Sequence, residues 1–247
     1  MSFKLKYNEV AAPSFLKVTG IDQYLLPKID HYNSKITGSY GNIDGGISFG
    51  DKVFKVNYTI VYDSTKDDTY YIDAMAEWLR GNNFKVSKLQ LDTSGEYYMA
   101  RVSDATDFSD AILYGSGSIT FTASNPRRYA ASETIVNLTK NGNTSVSYNG
   151  YIPACPVITA VCPSGTTSIK VTNATTGDYV LVSASNLQGT VIIDCNKKFV
   201  SKGGTKDLTL LDTRSNWITL VKGTNTIKVA VTGTALNSIN IKYTVTK

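Results

Sequence analysis

The chain carries one histidine, His31, in the stretch IDHYNS. A Ser-His-Asp or Cys-His nucleophilic device would have to be built around it. With no partner at ligand spacing, a lone imidazole reads as a surface or packed residue rather than a metal ligand. Paired carboxylates are the other route to chemistry, an acid and a base or nucleophile facing each other across a cleft. Asp67-Asp68 is the obvious pair, but adjacent acids at the start of a helix are better explained as caps. Five acids follow residue 130, Glu133, Asp178, Asp194, Asp207 and Asp212, and nothing singles one out as a base. No GxSxG elbow occurs. Cys155, Cys162 and Cys195 are odd in number and lack CxxC spacing. In CPVITAVC the first two fall on opposite faces of one strand, which makes a disulfide geometrically hard. All three read as small buried apolar residues. The residues predict no catalytic, cofactor-binding or metal-binding site.

Binding is the remaining class of chemistry. The Gly-rich TGSYGNIDGGISFGDK (37–52) has neither GxGxxG nor GxxxxGK followed by Ser or Thr, so it predicts a β connection, flexible or tightly folded, with a turn at Asp44-Gly45. Residues 1–130 carry 14 Lys and Arg against 15 Asp and Glu, and residues 131–247 carry 11 against 5. That asymmetry points to two modules with different neighbours. The basic residues are scattered, without the aromatic-interleaved stripe of a nucleic-acid reader. The chain holds 16 Tyr and 2 Trp, enough to stack on sugars. In NWITLV, Trp217, Thr219 and Val221 share one face and Ile218 and Leu220 the other, a pattern that suits packing as well as stacking. The sequons at Asn57, Asn137, Asn143 and Asn173 need a secretion route, and MSFKLKYNEV has no apolar h-region to supply one. No run approaches the length of a membrane span. Synthesis in a cytoplasm is expected.

The elements that would position these residues are almost all strands. VFKVNYTIVY (53–62) alternates, with Phe54, Val56, Tyr58, Ile60 and Tyr62 on one face. SKLQLDT (87–93), EYYMARVSD (96–104) and GSITFTAS (117–124) follow, the last burying Ile119, Phe121 and Ala123. The exception is YYIDAMAEWLRGNNF (70–84), where Tyr71, Met75 and Trp78, and Ile72, Met75 and Leu79, fall at helical spacing. Asp67, Asp68 and Thr69 are N-cap candidates and Gly81 a stop, which predicts a helix over 69–80. A break at Asn125-Pro126 in ASNPRRYAASE (123–133) marks a boundary. Beyond it, PSGTTSIKVTNATTGDYVLVSAS, GTVIIDC, NWITLVKGTNTIKVAVTG and LNSINIKYTVTK read as short strands with Gly and Asn turns, a sandwich or jelly roll.

In order and spacing these features resemble the distal tail protein (Dit) family of siphophages infecting Gram-positive bacteria. The resemblance rests on YGNIDGG (40–46), the long strand at 53–62, a helix ending in Trp78-Leu79, the run Tyr97 to Val102, and ITFTASNP. In the second half it rests on Pro156 to Thr159, VTNATTGDYV (171–180), GTVIIDC (189–195) and LVKGTNTIKV (220–229). The family's glycine turn commonly carries an Arg, and Ser39-Tyr40 stand nearest to that place here.

The resemblance implies a mainly β fold. Residues 1–133 would form an N-terminal β-sandwich-like, ring-forming domain with one α-helix, and residues 134–247 a C-terminal galectin-like β-sandwich (jelly roll). It implies a structural phage tail protein, a homohexameric hub ring joining the tail tube to the host-facing tip or baseplate. The expected partners are further copies of itself, the tail tube protein, the tail-tip or tail-associated lysin protein, and receptor-binding proteins. No cofactor, no membrane insertion and no specific nucleic-acid readout are expected, and the location is the virion tail tip. The alternative is a carbohydrate-binding host-adsorption module using the C-terminal sandwich. Galectins grip sugar with a His-x-Asn-x-Arg strand, and the second half has no His. Under the family reading the helix is a lid on an apolar sheet, burying Ile72, Met75, Trp78 and Leu79 at about 1.5–3 kcal/mol per side chain. The N-terminal FKLKYNE is expected to be an open edge strand whose loss, on deleting residues 1–8, weakens assembly.

Overall fold

A computed structural model describes residues 4–38, 40–105 and 115–247. The chain divides into two compact units, residues 1–131 and 132–247. It passes from one to the other inside a strand, not a loop.

The first unit opens with β1 (Lys6–Tyr7) and β2 (Val10–Ala11), followed by β3 (Leu16–Gln23), β4 (Ile29–Lys35), β5 (Asn42–Phe49) and β6 (Lys52–Ile60). The helix α1 (Asp68–Arg80) comes next, then β7 (Ser87–Gln90), β8 (Tyr97–Ala105), β9 (Ser116–Ala123) and β10 (Arg128–Asn137). All pairings are antiparallel. β2, β1, β7 and β8 pair in that order, and β3, β6, β9 and β8 form a second series. β8 serves both, with a register shift between Val102 and Asp104 where it changes partner. Tyr97 and Tyr98 then pair with Tyr129 and Arg128 at the start of β10. The inward faces follow the alternation of the sequence: Phe54, Val56, Tyr58 and Ile60 from β6 meet Ile119, Phe121 and Ala123 from β9.

Four expectations need correction. β6 ends at Ile60, because the Val61 N–H donates to Phe15 O at 2.8 Å and the chain turns at Asp63, whose carboxylate accepts from Thr65 N. Val61 and Tyr62 are therefore exposed. On α1, Tyr71, Met75 and Trp78 are buried and Leu79 packs partly, but Ile72 is 43% exposed. Ile72 lies about 100° round the helix from Tyr71, off the stripe that faces the sheet. The N-terminal segment is not an open edge. β1 is paired on both sides, by β2 and β7, with Leu5 and Tyr7 in the core, so its loss would remove core as well as surface. Its first residue, Phe3, lies outside the described residues. The stretch 37–52 is not a connection, since it holds β5. Asp44-Gly45 marks a register shift within the β4–β5 hairpin rather than its turn, with Gly46 at φ +94° and its N–H on Asp44 Oδ1. Ser39 lies outside the described residues, and Tyr40 is exposed.

α1 begins where Asp67 accepts from Tyr70 N at 3.0 Å and ends at Gly81, φ +47°. A side chain at Gly81 would meet the Tyr7 ring at 3.0 Å, so this stop is set by packing as well as by backbone conformation.

The second unit contributes β11 (Gly142–Tyr148), β12 (Val157–Cys162), β13 (Thr166–Asn173), β14 (Tyr179–Ser183), β15 (Gly189–Asp194), β16 (Phe199–Lys202) and β17 (Thr205–Lys206). A single turn of 3-10 helix (Leu208–Leu210), β18 (Gly223–Gly233) and β19 (Ser238–Thr246) complete it. One sheet runs β17-β16-β15-β12-β19-β10 and the other β11-β18-β13-β14. Ile158 and Ala160 of β12, Val191 and Ile193 of β15 and Ile239, Ile241 and Tyr243 of β19 share one core with Val171, Val180 and Val229 from the four-stranded sheet. NWITLV is not regular strand; only Leu220 bridges, to Ala154. The Tyr148 hydroxyl donates to Ile152 O at 2.5 Å and accepts from Thr246 N at 3.1 Å. Gly150 lies directly against that hydroxyl, with no room for a Cβ.

Trp78→Ala should lower unfolding free energy by about 3–5 kcal/mol through the cavity it leaves. Gly150→Ala should cost about 1–3 kcal/mol through overpacking. Urea unfolding followed by circular dichroism checks both; a loss below about 0.5 kcal/mol for either contradicts the packing described.

Candidate functional site

The residues with chemical potential are already employed in the fold. Asp67 caps α1. Asp194 accepts from Asn196 N and Lys197 N at 3.0 and 2.8 Å, which turns β15 into β16. Asp207 caps the 3-10 turn, and hydrogen bonds from the Thr209 hydroxyl and N–H hold its carboxyl below the usual range. The Arg214 N–H does the same for Asp212. A carboxyl held down in this way stays ionised, the opposite of what a general acid needs. Asp178 accepts from the Thr176 and Thr219 hydroxyls, and Glu133 pairs with Lys242 at 3.1 Å. His31 is exposed on β4, opposite Ile47. Among the described residues, no group of three His, Cys, Asp or Glu is arranged to hold a metal ion.

The cysteines divide. Cys162 and Cys195 are buried, but Cys155 is exposed, against expectation, because β12 starts only at Val157 and leaves Cys155 outside the sheet. Burial pushes the Cys195 thiol up to about 12 and raises Cys162 as well. Trp217 is half-buried and packs on the second core. Asn173, one of the sequon residues, is fully buried, with its amide donating to Thr219 O and Asn225 Oδ1.

What stands open is apolar. Among the described residues, seventeen of the twenty exposed large apolar side chains lie in the first unit. The hairpin β4–β5 pairs only with itself and shows Tyr32, Ile43, Ile47 and Phe49 at 52–58% exposure. A two-stranded hairpin with both faces in water is marginal at best. Tyr24, Leu25 and Leu26, between β3 and β4, are exposed too. Residue types alone do not reveal this surface. The signal was present in β5, where Ile43, Gly45, Ile47 and Phe49 recur every second residue, but glycines masked it.

Residues 149–246 match the family described as siphovirus-type tail component, C-terminal domain, and residues 11–123 match the phage tail protein RIFT-related domain. The chain belongs to the Dit family of siphovirus tail proteins. No curated protein sequence matches it. In fold it is similar to the crystal structure of SPP1 Dit, described as a paradigm of the hub adsorption apparatus in phages infecting Gram-positive bacteria. The TM-score is 0.81 at 17% identity, with 100% of each chain covered. It also aligns with a chain of the phage P2 baseplate in its activated conformation with Ca, at TM-score 0.50 and 13% identity, covering 99% of this chain and 98% of that one. As a Dit-family member the chain is a structural, distal component of a phage tail and not an enzyme.

A thiol titration should find one fast-reacting cysteine in the folded protein at pH 8 and three after unfolding. Cys155→Ser should abolish the fast reaction. Two fast thiols in the native state would contradict the burial of Cys162 and Cys195.

Proposed function

We propose that the chain forms a homohexameric hub ring that joins the tail tube to the host-facing tip, with its first unit making the ring. The observation that carries this reading is the segregation of exposed apolar side chains into that unit. A monomer rarely leaves so many large apolar groups in water without a use for them. A ring needs two different patches per copy, since each subunit meets one neighbour with one face and the next neighbour with another. The hairpin supplies one patch. Val61, Tyr62, Tyr70 and Ile72, around the start of α1, supply a second.

The second unit, the more basic of the two, exposes only three large apolar side chains among the described residues, Ile135, Tyr151 and Leu208, and suits an outward position as a galectin-like module. The tail tube protein, a tail-tip or lysin protein and receptor-binding proteins are the partners this arrangement would meet. Electron microscopy of the full chain at high concentration, alone or with the tail tube protein, should show closed six-fold rings. Ile47→Glu with Phe49→Glu should abolish them while shifting unfolding free energy by less than about 0.5 kcal/mol, as expected of exposed positions. Rings that persist in the double variant, or a chain that stays monomeric throughout and binds glycans, would overturn the reading.

A further inference from the structure

His31 is the only histidine of the chain, and the β4–β5 hairpin sets it among apolar side chains. The ladder pairs Ile29 with Phe49, Asp30 with Ser48 and His31 with Ile47. Successive pairs alternate between the two faces of a hairpin, so Ile29, Phe49, His31 and Ile47 share one face. Asp30, Tyr32 and Ser48 take the other, where the Tyr32 hydroxyl and Ser48 Oγ are 3.1 Å apart. Direct cross-strand neighbours such as His31 and Ile47 have Cβ atoms about 5 Å apart, and a diagonal neighbour such as Phe49 is about 7–8 Å away. His31, Ile47 and Phe49 are exposed and Ile29 is half-buried.

The two pairs that build this face hold no other charged group. Asp30, on the opposite face, pairs with Lys28 at 2.9 Å. Asp44 and Lys35 lie past the register shift, opposite Asn33 and Asn42, and Asp44 Oδ1 accepts from Gly46 N at 2.8 Å. Asp51 follows the hairpin, its carbonyl accepting from Lys28 N at 3.4 Å. No other described strand pairs with the hairpin to bring a further charge to it.

Histidine ordinarily changes charge between about pH 5 and 8, a range in which free carboxylates stay ionised and lysines stay protonated. The face around His31 therefore changes character across that range while the rest of the hairpin does not. A neutral imidazole can leave water together with two isoleucines and a phenylalanine. An imidazolium in the same place loses a hydration that apolar neighbours do not replace.

We propose that His31 makes the ring contact pH-sensitive, because the contact admits the neutral imidazole and excludes the imidazolium. This rests on the ring reading above, in which the hairpin is one of the two patches, and adds a regulation to it. A protonated His31 must release its proton to enter the contact, so assembly strengthens as pH rises through the histidine range and weakens as it falls. For a histidine side chain the neutral fraction drops about 10-fold between pH 7.5 and pH 5.5, and the strength of each contact drops with it.

Sedimentation of the full chain at pH 7.5 and pH 5.5, alone and with the tail tube protein, tests this, with circular dichroism at both values to follow the fold. The unsubstituted chain should need at least about 10-fold more protein to form rings at pH 5.5. His31→Gln, uncharged at both values, should form rings at the same concentration in both. His31→Lys, charged at both, should form them poorly in both. Equal assembly of the unsubstituted chain at the two values, or stronger assembly at pH 5.5, would overturn the regulation and leave the ring standing. So would a pH difference, in assembly or in fold, that survives in His31→Gln, or a His31→Gln chain that forms no rings. Absence of rings from the unsubstituted chain at both values, with and without the tail tube protein, would overturn the ring reading and the regulation together.

Discussion

The first unit depends on one aromatic residue being surrounded. Tyr7 is fully buried, edge-on to Trp78 with ring centres 6.4 Å apart and tilted on Phe121 at 5.2 Å. It therefore ties the N-terminal hairpin to the helix on one side and to the sheet on the other. Its hydroxyl reaches Lys85 O at 3.4 Å, just past the end of the helix. The need for glycine at 81 follows, because the Tyr7 ring occupies the space a Cβ would take. Phe15 against Tyr71, 4.9 Å apart, repeats the arrangement at the other end of the lid. Rings of this size contribute a large share of buried area, and their edge-to-face contacts fix geometry as well as energy.

That constraint explains why one helix occurs in a chain otherwise built of strands. A sheet with one apolar face must be covered, and three residues on a single helical stripe are enough to cover this one. It also explains what remains outside. With the core closed by the lid, the hairpin β4–β5 and the bend at 24–26 leave large apolar side chains exposed among the described residues. The second unit needs no lid, since its two sheets cover each other. Its buried polar groups are satisfied internally: Asn225 is fully buried, accepting from Val221 N and donating to Val221 O and Gly223 O, so it pins the turn into β18.

The two surfaces follow from this division. Acids and amides that could have been read as chemistry are spent on caps and turns, because short strands need many turns and each turn leaves backbone N–H groups to satisfy. The exposed apolar residues of the first unit have no such role in caps or turns.

Much of the fold was legible in advance. Period-2 alternation located β6, β9, β18 and β19, and the 71, 75, 78 stripe with Asp67 and Gly81 located α1, because local periodicity and capping are properties of neighbouring residues. The order of weak motifs was enough to point to the family. Alternation says which residues share a face, but not whether a partner covers that face. Local periodicity therefore misplaces Ile72, Tyr62 and Cys155 and does not reveal the glycine-rich β5. Only the tertiary structure decided that Tyr7 lies inside and Leu25 outside, that β1 is paired on both sides, and that the β4–β5 hairpin pairs with no other described strand. Those outcomes depend on contacts between segments far apart in the chain, and no local pattern of residues encodes which distant segment arrives.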